Sequence, residues 1–224
     1  GEELFWVGGC GSCHAAPGAK GEAKLTLAGG LVLETPFGDF SVPNISPDPD
    51  AGIGDWSEAA FVQAMQLGVS PEGQHYYPSF PYASYARMPV EHLLDLKAYL
   101  DTLPVTANEA ADHDLGFPYS IRRFVGLWKR LYLDPSWVAE IDDADPVLER
   151  GRYLVEGPGH CGECHTSRDA MGGMDWTVWL AGAPAPEGDG TVPNITPGGI
   201  DGWSQSDLVY AFESGFKPDY DTLG

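Results

Sequence analysis

Cys161-Gly162-Glu163-Cys164-His165 repeats the pattern of Cys10-Gly11-Ser12-Cys13-His14. Cysteine, two residues, cysteine and histidine form the attachment signature of a c-type haem. The two thiols bond to the porphyrin vinyl groups and the adjacent imidazole reaches the iron. The two copies hold all four cysteines of the 224-residue chain. A zinc site would need the two pairs brought together and would leave the duplicated histidine unexplained. A thioredoxin-like dithiol would need a βαβ setting that neither pair has, and cysteines at this spacing serve metals, redox dithiols or haem more often than structural disulfides. The sequence therefore predicts two covalently bound haem c groups, held by Cys10, Cys13, Cys161 and Cys164, with His14 and His165 as proximal iron ligands.

The duplication reaches well beyond the motifs. Gly1 to Cys10 matches Gly151 to Cys161, Val42-Pro43-Asn44-Ile45-Ser46 matches Val192-Pro193-Asn194-Ile195-Thr196, and Gly54-Asp55-Trp56-Ser57 resembles Asp201-Gly202-Trp203-Ser204. The repeat distance is about 150 residues throughout. After each tryptophan a serine, Ser57 or Ser204, is suited to cap a helix, and Asp207 completes a capping box in the second copy. Gly68 and Gly215 suit the ends of these helices. Pro89 to Leu100 has apolar Leu93, Leu96 and Leu100 on one helical face and is expected to close the first repeat. Ile121 to Tyr132 is expected to be a helix in a segment without counterpart. Two readings of it stand: a linker helix packed on the domains, which is favoured, or arginines that pair with haem propionates. Asp134 to Glu149 reads as acidic and solvated.

Composition narrows the function. An apolar fraction of 43% is ordinary for a globular chain. No apolar run is long enough to cross a bilayer, and the first residues do not read as a signal peptide. A net charge of -21 argues against nucleic acid as a partner. It favours redox partners with basic docking patches; solubility alone is the competing explanation.

The sixth iron ligand decides whether a haem only passes electrons or also binds substrate. Met88, beyond an aromatic loop and just before the closing helix, is the candidate at the first haem. Met65 aligns with Phe212 and reads as packing. Met171 and Met174 follow His165 so closely that as ligands they would break the geometry of the repeat. His75 and His92 are weaker candidates, and His160, beside Cys161, is poorly placed to cross the ring. No sixth ligand is evident for the second haem. Asn44-Ile45-Ser46 and Asn194-Ile195-Thr196 fit a glycosylation pattern, but their recurrence favours a packing role. Trp56 and Trp203 read equally well as indole donors to propionates or as core residues.

The strings GGCGSCH, VPNISPD with GIGDWS, YPSFPYASYARM followed by EHLLDLKAYL, FPYSIRRFVGLW and GRYLVEGPGHCGECHTSRDAMG cover most of the chain. With them the sequence resembles the dihaem and multihaem c-type cytochrome subunits of quinoprotein alcohol and gluconate dehydrogenases. The resemblance implies an all-α fold of two tandem cytochrome c domains, 1–104 and 146–224, related by the internal repeat and joined by a helical linker, 105–145. It makes Met88 the distal ligand of the first haem. Relatives often carry a methionine earlier in this loop, where this chain has Phe80. They also continue beyond a segment like Lys217 to Gly224, so the second domain is expected to be truncated here and the sequence to be a fragment at both ends. The function expected is periplasmic transfer of single electrons between a dehydrogenase or quinol-linked donor and a respiratory acceptor, in partnership with redox proteins that include a membrane-bound dehydrogenase. A haem enzyme with an open second site, peroxidase-like or thiosulfate-oxidising, is the alternative, and a filament-forming subunit is a third.

Overall fold

Two short helices, α1 (Glu2–Val7) and α2 (Cys10–Cys13), carry the first haem motif. The computed structural model describes residues 1–142, 145–185 and 190–222. Its contacts divide the chain into one unit built on Gly1–Glu163 and a second that begins at Cys164.

In the first unit, α2 leads through a loop to an antiparallel hairpin of β1 (Val32–Thr35) and β2 (Gly38–Ser41). Helix α3 (Glu58–Leu67) begins where the sequence predicts: Ser57 Oγ accepts from Ala60 N at 3.2 Å, and Gly68 closes the helix in the left-handed conformation. A single turn, α4 (Tyr82–Tyr85), precedes α5 (Val90–Leu100). Leu93, Leu96 and Leu100 of α5 are buried, each worth about 1.5–3 kcal/mol of apolar transfer. They meet Phe5 of α1, Phe61 of α3, Leu27, Ile53 and Met88 in one core cluster. Phe5 also lies against Tyr99, with ring centroids 5.4 Å apart.

Strand β3 (Asp114–Leu115) then adds to β2, making a three-stranded sheet in the order β1-β2-β3. Helix α6 covers Phe124–Tyr132, three residues shorter than expected. The missing turn is tighter than an α-helix: Phe124, Val125 and Gly126 donate to carbonyls three residues back. Lys129 of α6 is buried and donates to the carbonyls of Leu67 and Gly68 at 2.6 Å and to His75 Nδ1 at 3.1 Å. It thereby satisfies orphan carbonyls at the end of α3, and burial lowers its pKa to about 8. The linker-packing reading thus describes Lys129.

Helix α7 (Pro146–Glu156) begins within the acidic stretch Asp134 to Glu149, whose described acidic residues are exposed. Asp145 accepts from Val147 N and Leu148 N as the cap, Pro146 opens the helix, and Glu149 lies in its first turn, exposed to solvent as the acidic stretch was expected to be. Asp143, within the same stretch, lies outside the described residues. Helix α7 begins where the second repeat was expected to begin, and its contacts belong to the first unit: Tyr153 joins the core cluster, and His92 Nδ1 is hydrogen-bonded to the Tyr153 hydroxyl at 2.7 Å.

The division between units falls inside α8 (Gly162–His165). The second unit contains the short pair β4 (Ala183–Pro184) and β5 (Thr191–Val192) and helix α9 (Gln205–Ser214). The capping box at α9 is as predicted: Asp207 N donates to Ser204 Oγ at 3.2 Å, and Ser204 N donates to Asp207 Oδ2 at 2.8 Å. The Ser204 hydroxyl, donating to Asp207 Oδ2 at 2.7 Å, and then the Ser204 backbone N–H hold the Asp207 carboxyl below its ordinary pKa. Leu223 and Gly224 of the C-terminal segment lie outside the described residues.

The regular structure is mostly helical, with two small sheets that an all-α expectation lacks. Strands of two to four residues are too short to give the alternating pattern by which strands are read.

Candidate haem sites

The two motifs are built alike. Cys10 and Cys13 lie three residues apart on one helical turn; Cys10 is half-buried and packed on the core cluster, while Cys13 is exposed. Burial pushes the Cys10 thiol up to about 12. Cys161 is likewise half-buried and Cys164 exposed, and none of the four is in a disulfide.

Each histidine after a pair is fixed by a carbonyl from the duplicated Val-Pro-Asn string. His14 Nδ1 lies 2.9 Å from Pro43 O. In the second unit His165 Nδ1 lies 2.8 Å from Pro193 O. A carbonyl only accepts, so both histidines carry their proton on Nδ1 and present the lone pair of Nε2, the form that binds a metal. Burial lowers the His14 pKa, which keeps the ring neutral, and the Pro43 bond only partly offsets this.

The surrounding backbone repeats as well. In the first unit Gly29 N donates to His14 O at 2.7 Å and Ile45 N to Leu27 O at 3.0 Å. In the second, Gly182 N donates to His165 O at 2.8 Å and Ile195 N to Leu180 O at 3.0 Å. Gly29 has φ +68° and Gly182 φ +93°; a Cβ would come within 2.5 Å of Pro43 C at the first and 2.9 Å of Val192 O at the second. Only glycine lets the Val-Pro-Asn strand pass close enough for its proline carbonyl to reach the histidine.

Asn44 and Asn194 serve structure. Asn44 Oδ1 accepts from Ser46 N at 2.8 Å, and its amide donates to Thr106 O and Asn108 O, tying the chain after α5 to the haem-side loop. Asn194 Oδ1 accepts from Thr196 N at 2.8 Å.

Two thiols on one turn, followed by an imidazole held with Nε2 free, are the donor set that a covalent haem requires, and each motif supplies it. Met88 is 2% exposed and shares the core cluster against which Cys10 packs. The half-buried Phe80 packs on the same cluster. Met65 is buried in that core, Met171 is exposed and Met174 is buried. Trp56 lies half-buried on the core cluster, and Trp203 is half-buried in the second unit. The other histidines have partners: His75 accepts from Lys129, His92 bonds to Tyr153, and His160 Nε2 lies 3.1 Å from Gly8 O.

The Cytochrome c family profile matches residues 1–104. A "Diheme cytochrome c-type" protein of Cereibacter sphaeroides is 58% identical over 224 residues, covering all of this chain and 75% of the relative. The chain belongs to the dihaem c-type cytochromes. This cytochrome is also 37% identical over 219 residues to the gluconate 2-dehydrogenase cytochrome c subunit of Pantoea cypripedii, covering 93% of the chain and 48% of that subunit. It is 33% identical over 228 residues to the cytochrome c subunit of the quinone alcohol dehydrogenase of Gluconobacter oxydans, covering 96% of the chain and 46% of the subunit. The chain thus spans just under half the length of these two dehydrogenase subunits.

Pro43 and Pro193 are the functional residues of the cytochrome that sequence reasoning missed. Their signal was present, since Val-Pro-Asn recurs behind each motif, with its proline 29 residues after His14 and 28 after His165. A backbone carbonyl has no residue-type signature, so the string reads as packing until the hydrogen bond is seen. Ala28-Gly29 and Ala181-Gly182 recur between motif and string as well, at spacings that differ by two residues.

The segment leading into Cys161 is pinned within the first unit. Ser84 Oγ donates to Glu163 Oε1 at 2.9 Å, and the rings of Tyr85 and His160 meet edge to face at 5.7 Å. Cys161 therefore lies between two residues, His160 and Glu163, that are each held by the first unit.

Proposed function

We propose that this cytochrome relays single electrons in the periplasm, through two tandem cytochrome c domains over 1–104 and 146–224, between a dehydrogenase or quinol-linked donor and a respiratory acceptor. When bound, haem c supplies a one-electron ferric/ferrous couple at each motif. Cys10, Cys13, Cys161 and Cys164 tether the two groups; the imidazoles of His14 and His165 hold the irons, each oriented by a proline carbonyl. The single observation carrying the reading is that pair of bonds, His14 to Pro43 and His165 to Pro193, which presents the same free Nε2 in both units.

Met88 is assigned as the sixth ligand of the first haem, on its place after the aromatic loop and its membership of the cluster that holds Cys10. A thioether favours the ferrous state and raises the potential relative to a second imidazole. Trp56 and Trp203 are assigned to the haem surroundings. The likeness to gluconate and alcohol dehydrogenase cytochrome subunits supports a dehydrogenase as electron donor, and the charge of -21 supports partners with basic docking patches.

The test is carbon monoxide binding to the reduced protein together with electron transfer from a quinoprotein dehydrogenase. Rapid reduction by the dehydrogenase and no CO binding at either haem are expected. Rapid CO binding at one haem, the second above all, or no reduction by any such donor, would favour a haem enzyme instead, and CO at the first haem would remove Met88 as its ligand.

A further inference from the structure

Helix α6 carries two different faces. Val125 and Lys129, 7% and 9% exposed, point inward, with Lys129 bonded to the end of α3. Phe124, Leu127 and Leu131 are 53%, 58% and 61% exposed. Spaced three and four residues apart, they form one outward stripe. Arg123 and Arg130 are also exposed and lie seven residues apart, four and three residues from Leu127, so they border the same stripe. Just before the helix Phe117 and Tyr119 are exposed too, at 84% and 43%.

Charge sets this stretch apart from the rest of the chain. From Leu115 to Leu133 there is no acidic residue, and Arg122, Arg123, Lys129 and Arg130 are four of the chain's twelve basic residues. Three large apolar side chains flanked by arginines on one helical face form the pattern that seats in the headgroup region of an anionic bilayer, the rings and leucines entering the acyl boundary and the guanidiniums meeting phosphates. The chain as a whole carries a net charge of -21, which opposes approach to such a surface except through this stretch, so α6 also sets the orientation.

We propose that the outer face of α6, Arg123-Phe124-Leu127-Arg130-Leu131, docks this protein peripherally on an anionic phospholipid surface. No described helix is long and apolar enough to cross a membrane, and this contact needs none. It rests on exposed side chains alone and is independent of the haem assignments.

The experiment is co-sedimentation of the haem-loaded protein with vesicles of phosphatidylcholine alone or mixed equally with phosphatidylglycerol. Wild type is expected to bind the mixed vesicles, less so as salt rises, and to leave neutral vesicles unbound. Arg123→Gln with Arg130→Gln, or Leu127→Ser with Leu131→Ser, should weaken partitioning about tenfold or more. Unchanged circular dichroism and haem absorption would show that these exposed substitutions leave the fold intact. Absent binding, equal binding to neutral vesicles, or binding unaffected by either double variant would overturn the proposal. So would variants that keep vesicle binding and instead slow reduction by a protein donor, which would make the face a protein interface.

Discussion

Replacing Met88 by leucine is expected to convert the first haem from a closed site to one that binds carbon monoxide. Leucine fills nearly the same volume, so the loss of packing should stay below about 1.5 kcal/mol, while the sulfur is removed outright. The CO stoichiometry of the reduced protein should rise by one haem per chain, the charge-transfer band of methionine-ligated ferric haem should disappear, and the first potential should fall. Met88→Ala would confound this by opening a cavity among Phe5, Leu93 and Tyr153, at a cost of about 2–5 kcal/mol. If Met88→Leu leaves CO binding and spectrum unchanged, Met88 is a packing residue and the first haem has another distal partner.

Glu156→Ala is expected to be the most destabilising single change, by about 3–5 kcal/mol. The Glu156 carboxylate, 2% exposed, accepts from Val138 N at 2.7 Å and from Ala139 N at 2.8 Å. Arg87 Nε lies 3.6 Å away as an ion pair, and Arg87 also donates to Ser136 O and Ala83 O. Burial lowers the Arg87 pKa, opposed by the charge of Glu156. Alanine would leave two backbone donors unmet and a buried cation without its counter-charge. Because Arg87 precedes Met88, the loss should also disturb the first haem. Urea unfolding followed at the haem and by circular dichroism measures it; Glu156→Gln, which keeps the shape and an acceptor, should cost less. Equal stability of Glu156→Ala and wild type would show that the network contributes nothing net.

Much of this was legible in the sequence because the chemistry lies in residue types. Cysteine-x-x-cysteine-histidine needs those residues at that spacing, and a serine after tryptophan with Asp207 three residues on names its own cap. What escaped was backbone-borne or charge-borne. The proline carbonyls that orient His14 and His165 have no side-chain signature. The strands are shorter than the period that reveals strands. Glu149 is solvated as an acidic run suggests, but the start of α7 at the Asp145 cap and Pro146 was not read from it. Lys129 looked like any basic residue on a surface helix, yet its ammonium is buried at the end of α3. No local pattern distinguishes such a lysine from its exposed neighbour Arg130.

The central claim is that both motifs carry covalent haem. Intact mass of the denatured protein, produced in a host with haem-attachment machinery, tests it most directly, with Cys161→Ala/Cys164→Ala as the control. The expected mass is the chain plus two haems, falling to the chain plus one in the double variant. A denatured mass equal to the bare chain, or one haem lost without effect from mutating the second motif, would contradict it.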